Sequence, residues 1–190
     1  MYTLEEINRI REEVSLGLVH HGSYPDIVFP GINDWSAFLE LGPRAEAVIT
    51  NQTHFGSDGP MNDLEMGGFY IGEIAERDGD IYGVAHDVIP LQVPGKRSSI
   101  TIPQSEYTRV ETEMTLWNKR NGTNFVDIGW YHTHPGNRLW LSDGDKSNHI
   151  RRYGAEPRFM TVVCPKNSTL QSFVKSECRE CDTISNLARG

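Results

Sequence analysis

Residues 125–134 read Phe125-Val126-Asp127-Ile128-Gly129-Trp130-Tyr131-His132-Thr133-His134, and Pro135-Gly136 follows directly. The apolar run up to Tyr131 predicts a buried β-strand. Side chains two apart on a strand share a face, so His132 and His134 present two imidazoles to one point at the strand's end. Pro135-Gly136 turns the chain, which lets Asp145, eleven residues beyond His134, return as a third ligand. Two imidazoles and one carboxylate, with a fourth position open, are the usual ligands of a catalytic zinc. This stretch predicts a zinc hydrolase.

Working outward, Asn121-Gly122 turns the chain into that strand, and an amphipathic helix is expected over 105–118. Residues 64–73 and 81–91 predict two strands joined at Asp78-Gly79-Asp80, a hairpin turn signal. A strand over 45–50, an exposed loop over 51–61 and a short strand over 99–102 complete the upstream half. Downstream, a helix is expected over 142–153, then strands over 158–164 and 168–175 around Pro165-Lys166-Asn167. Near the N-terminus, Leu4, Ile7, Ile10, Val14 and Leu18 recur at a helical period, with Thr3 and Glu6 spaced as a capping box. Strands outnumber helices and join mostly through short turns. The expected fold class is therefore α+β, a mixed, mostly antiparallel sheet flanked by helices. One domain over 1–190 is expected, with an N-terminal helical extension over about 1–44 and a short tail over about 176–190.

A chain of 190 residues is long enough to bury roughly 70% of its unfolded surface. Its net charge is −8, and no basic run exceeds a pair such as Lys119-Arg120 or Arg151-Arg152. Nucleic acid needs a concentrated positive face, so it is not an expected partner. No apolar stretch approaches the ~20 residues that span a bilayer. The acidic start Met1-Tyr2-Thr3-Leu4-Glu5-Glu6 is unlike a secretory signal. Three cysteines, an odd number, suggest no disulfide framework. These features point to the cytoplasm.

Ser142 stands three residues before Asp145, the spacing of a helix capping box. A serine there fixes where Asp145 projects, and its hydroxyl is also placed to face the reaction. Amide hydrolysis needs a group that moves protons. Glu65 opens an apolar, glycine-containing strand, where burial of a lone carboxylate raises its pKa. On the residues alone Glu65 competes evenly with Glu73 and Glu76 for that role.

The set Glu65, His132-Thr133-His134-Pro135 and Ser142-x-x-Asp145 resembles the motif of the JAMM (MPN-plus, JAB-domain) metalloproteases, most nearly their prokaryotic type. Six residues separate Pro135 from Ser142, and two separate Ser142 from Asp145. Glu65-Met66-Gly67-Gly68-Phe69-Tyr70-Ile71-Gly72 is similar to the family's glutamate-bearing segment, and the resemblance covers about residues 45–175. It implies an MPN/JAB-like fold with cytidine-deaminase-like layering. It implies zinc on His132, His134 and Asp145, Glu65 as general acid and base, and Ser142 as the donor to the developing oxyanion. It further implies cleavage after the C-terminal tail of a ubiquitin-like protein, for precursor processing or deconjugation, within a bacterial conjugation system. The partners would be that protein or its conjugate and the matching activating and conjugating enzymes. The segment before Glu65 shows no long helix of the kind common in the family, a departure from the pattern.

Arg138, Trp140 and Leu141 lie between the metal ligands and are candidates to line a groove for the substrate tail; the competing reading is that Trp140 and Leu141 pack the loop. Cys178-x-x-Cys181 with Cys164 is a weaker candidate for a structural zinc site. His149, four after Asp145, falls on the same helical side as a neighbour of the ligands. His20-His21 is expected at a helix end, meeting solvent or the helix dipole, and His54 and His86 carry no partner pattern. Nucleobase deaminases need His-x-Glu and Pro-Cys-x-x-Cys, and metallo-β-lactamase-like enzymes need an aspartate soon after His-x-His; neither pattern is present. Two rivals remain: a non-catalytic scaffold of the same fold, and trimming of a sulfur-carrier protein with a similar tail.

Overall fold

The computed structural model describes residues 37–57, 63–77, 80–93, 95–96, 100–136 and 138–187, and Arg9 besides. Within them lie seven strands: β1 (Ala37–Leu41), β2 (Gly67–Arg77), β3 (Asp80–Pro90), β4 (Val126–Thr133), β5 (Phe159–Cys164), β6 (Thr169–Val174) and β7 (Arg179–Ile184). Three helices accompany them: α1 (Pro43–Thr53), α2 (Gln104–Asn121) and α3 (Asp143–Tyr153). The strands close into a ring in the order β1-β3-β2-β4-β5-β6-β7. β1 runs parallel to β3 and β7, and β4 runs parallel to β5. The four remaining neighbour pairs are antiparallel. The mixed, mostly antiparallel α+β architecture stands.

Two apolar cores follow from strand alternation. Leu39, Tyr70, Ile81, Ile128, Tyr131, Phe159 and Val174 meet on one face of the sheet, together with Ala45 and Ile49 of α1. Phe69, Ile71, Trp130, Met160, Val162 and Phe173 meet on the other, against Tyr107 and Val110 of α2 and Tyr153 of α3. Ile128 and Trp130 are two apart yet belong to different cores. A bulge explains this: Tyr70 pairs Gly129 while Ile71 pairs Asp127, so Ile128 is the extra residue. Gly129 sits at φ +146°, and a Cβ there would lie 2.1 Å from the Phe159 carbonyl oxygen. The bulge therefore requires glycine and switches the alternation. It directs Trp130 and His132 toward α3 rather than toward the opposite core.

Several expectations are corrected. Residues 45–50 form α1, not a strand; the β-branched run Val48-Ile49-Thr50 misleads, whereas Ala45, Ile49 and Thr53 are buried at helical spacing behind Pro43 in the first turn. That helix of 11 residues replaces the expected strand and the first part of the expected loop over 51–61. Residues 100–103 are irregular rather than a strand. The expected helical extension over about 1–44 is corrected at Ala37–Leu41, because β1 is a fully buried strand between β3 and β7. The expected tail over 176–190 contains β7, which closes the ring. Glu46 of α1 pins the end of β7, accepting from Ser185 Oγ at 2.9 Å and from the Asn186 N–H at 2.5 Å. The helix expected from Leu4, with His20-His21 at its end, and the turn at Asp78-Gly79 lie outside the described residues. No helix among the described residues is long and apolar enough to cross a membrane.

Candidate active site

β4 ends at Thr133, and the His134 N–H extends its pairing with β5 by donating to the Val163 carbonyl at 2.8 Å. This extension holds both imidazoles on the face that the bulge selects. His132 is fully buried with its ring stacked on Trp130, centroids 4.7 Å apart. His134 is ordered from its far nitrogen, where Nδ1 donates to the Arg138 carbonyl at 2.8 Å. α3 brings the carboxylate. Ser142 caps that helix by accepting from the Asp145 N–H at 3.2 Å, and the Ser142 N–H donates back to Asp145 Oδ2 at 2.8 Å. The Ser142 hydroxyl also donates to Asp145 Oδ2 at 2.7 Å. The capping box thus fixes the direction of the carboxylate.

These elements bring His132, His134 and Asp145 together. The two Nε2 atoms are 3.1 Å apart, and Asp145 lies 3.2 Å from His132 Nε2 and 3.6 Å from His134 Nε2. One ligand atom from each falls within 4.8 Å of the others, the sole such group of three found among the described residues. Burial would raise the Asp145 pKa, but hydrogen bonds from both histidines and from Ser142 outweigh it and hold the carboxylate ionised. Burial lowers His132, and the neighbouring Asp145 offsets this only in part. Burial would also lower His134, yet its bonds to Asp145 and Arg138 raise it. Once their Nε2 protons are released, two imidazoles beside an ionised carboxylate are the donor set that a zinc ion accepts. The Arg138 carbonyl meets the usual need of a metal-ligating histidine for an outer partner, while His132 Nδ1 finds none among the described residues. The residues fit the metal.

Glu65 lies two residues before β2 rather than inside it, and it is buried. Its N–H donates to the Lys96 carbonyl at 2.8 Å. Gly95 packs so closely that a Cβ there would sit 1.5 Å from the Glu65 carbonyl oxygen. Burial pushes the Glu65 carboxyl up to about 7, against the lowering effects of His134 and the Ile100 N–H; Asp145 adds to the rise. The electrostatic influence of His134 and Asp145 places Glu65 in their neighbourhood. Glu73 and Glu76, its rivals in the sequence, point to solvent, where Glu73 meets His86 and Glu76 meets Lys175.

Other candidates fare differently. Trp140 is 53% exposed, with the Arg138 guanidinium 5.9 Å from its ring centre. Leu141 is 6% exposed and belongs to a core, so it packs the loop and does not line a groove. Cys164 and Cys178 lie in one core and Cys181 in the other, with Cys178 at φ +51° in the turn before β7. The three thiols therefore form no structural zinc site. His149 does neighbour the candidate ligands: its Nδ1 accepts from the Trp130 indole N–H at 3.3 Å, behind the ring that stacks on His132. Burial lowers its pKa to about 4, keeping it a neutral acceptor. The sequence reading missed the Arg138 carbonyl and the loop through Gly95, Lys96 and Ile100, since backbone contacts leave no residue-type signal.

The model of the family described as JAB1/Mov34/MPN/PAD-1 ubiquitin protease matches residues 46–152, more than half of the chain. The chain belongs to this family. Similar relatives include COP9 signalosome complex subunit 5 of Candida albicans, 28% identical over 75% of this chain and 22% of that protein. COP9 signalosome complex subunit 5b of Arabidopsis thaliana is 28% identical over 75% of this chain and 38% of that protein. The AMSH-like protease of Mus musculus is 27% identical over 55% of this chain and 21% of that protein. The chain spans well under half the length of these relatives. Among solved structures, protein DSY2949 from Desulfitobacterium hafniense shares the fold, with a TM-score of 0.51 and 17% identity over 76% of this chain and 90% of that one.

Proposed function

We propose that this JAB-family chain is a zinc-dependent peptidase that cleaves the peptide or isopeptide bond following the C-terminal tail of a ubiquitin-like protein. The observation that carries this reading is the convergence of His132, His134 and Asp145 within 4.8 Å, with the buried Glu65 under the electrostatic influence of His134 and Asp145. The family's description as a ubiquitin protease, and a relative named as a protease, support the same chemistry.

A zinc ion on these three ligands would polarise the attacked carbonyl and acidify a water molecule. The remaining work falls to the chain. Ionised Glu65 accepts the proton of the attacking water, and neutral Glu65 delivers it to the leaving amine as the carbon–nitrogen bond breaks. Burial raises the Glu65 carboxyl above its ordinary value, which suits a group that both takes up and releases a proton. Ser142 donates to the oxyanion. Its hydroxyl is free to turn away because its own N–H still holds Asp145 Oδ2. Trp140 and Arg138 flank the approach and take the extended tail, Trp140 by apolar contact and Arg138 by charge. The cellular setting is a cytoplasmic, bacterial ubiquitin-like conjugation system, with its activating and conjugating enzymes as partners.

The test incubates zinc-loaded protein with a tail-extended precursor and with isopeptide conjugates of a ubiquitin-like protein, beside a tailed sulfur carrier. Cleavage after the tail, stopped by a chelator and restored by zinc, is the expected result. Zinc-loaded protein inert toward every substrate would overturn the enzyme reading in favour of a scaffold.

A further inference from the structure

Thr133 stands between the two imidazoles, and strand alternation turns its side chain away from them. That side chain is buried, and both functions of its hydroxyl are used. Oγ1 accepts from the Met66 N–H at 2.8 Å and donates to the Leu64 carbonyl at 3.2 Å. The Thr133 N–H donates to the Met66 carbonyl at 2.7 Å. One residue at the end of β4 thus holds both neighbours of Glu65. Ladder pairing between β2 and β4 begins only at Gly67 opposite His132, so residues 64–66 precede the first pair of that ladder. A side chain extends the pairing where the ladder stops.

We propose that Thr133 is the positioning residue for Glu65: its hydroxyl staples the glutamate-bearing segment to the strand end that carries both histidines. The inference rests on the reading of Glu65 as proton carrier. Because His132 and His134 flank Thr133 directly, the staple sets the distance between the proton carrier and the ligands through a single residue. Serine preserves the staple. Valine keeps the shape but leaves the Met66 N–H and the Leu64 carbonyl without their partner.

Thr133→Val and Thr133→Ser are compared with the wild-type chain for kcat, KM, bound zinc and hydrogen exchange of the Met66 amide. The expected result for Thr133→Val is kcat lower by about 10²-fold, the cost of an ångström-scale misplacement, with KM unchanged and zinc retained. Its Met66 amide should exchange faster, and Thr133→Ser should behave as wild type in every readout. Unchanged kcat and Met66 protection in Thr133→Val, or loss of zinc together with activity, would overturn the staple. If the wild-type chain cleaves no ubiquitin-like substrate, the functional reading fails separately, and Met66 exchange in the two variants still decides whether Thr133 holds the segment.

Discussion

Glu65 and His134 lie in one neighbourhood but fail in different ways when removed. Glu65→Ala takes away the proposed proton carrier and leaves all three proposed ligand side chains, so zinc should stay stoichiometric while kcat falls by at least about 10²-fold. His134→Ala removes one of the three proposed ligands and the group that the Arg138 carbonyl orders. Zinc and activity should then disappear together. Metal analysis and turnover on both variants check the pair; zinc lost from Glu65→Ala would make Glu65 a ligand rather than a proton carrier. Ser142→Ala removes a helix cap, at a cost of about 1 kcal/mol, together with one of the hydroxyl contacts that orient Asp145. Thermal unfolding and zinc affinity should both decline modestly.

Among the elements, the bulge in β4 and the entry to α3 decide where the ligands point. Gly129→Ala forces a side chain into positive φ and against the Phe159 carbonyl. It should destabilise the fold by about 3 kcal/mol or more and weaken zinc binding, as measured by thermal unfolding and metal titration. The two histidines, Asp145, the Ser142 cap and the strand ending at Thr133 were legible because their spacing encodes local geometry. The bulge was not, since alternation read from sequence assumes an unbroken period of two. Helix α1 was missed because its β-branched residues outweighed the proline and glycine that start it. Strands β1 and β7 were missed because each is defined by pairing with a distant segment, and short apolar runs such as Ala37-Phe38-Leu39 carry no partner information. The Glu65 segment was read as strand for a related reason: apolar residues continue past the point where the ladder begins.

Ring closure through β1 and β7 makes stability a property of the whole molecule. Deleting residues 179–190 should unfold the domain rather than trim a tail, a loss of cooperative melting that circular dichroism would detect. A buried carboxylate far from the ligands in sequence adds a pH signature. Glu40 Oε1 in β1 has no hydrogen-bond partner among the described residues, and burial raises its pKa to about 8. An acid whose folded pKa lies above its unfolded value of about 4.5 is best tolerated when protonated. Its contribution is therefore most favourable below pH about 4.5, is lost progressively as pH rises to about 8, and changes no further above that. The loss approaches ~1.4 kcal/mol per pH unit inside the window. Glu40→Gln should remove this slope, so the melting temperatures of variant and wild type should diverge from pH 5 to pH 8. Parallel curves would show that Glu40 ionises freely in the folded chain.

The most direct measurement is anomalous diffraction at the zinc edge on crystals of the zinc-loaded chain. The account predicts one peak bonded to His132 Nε2, His134 Nε2 and an Asp145 carboxylate oxygen, at about 2.0–2.2 Å from each, with the Glu65 carboxylate facing it. Zinc bound elsewhere, or no peak among these three side chains, would contradict it.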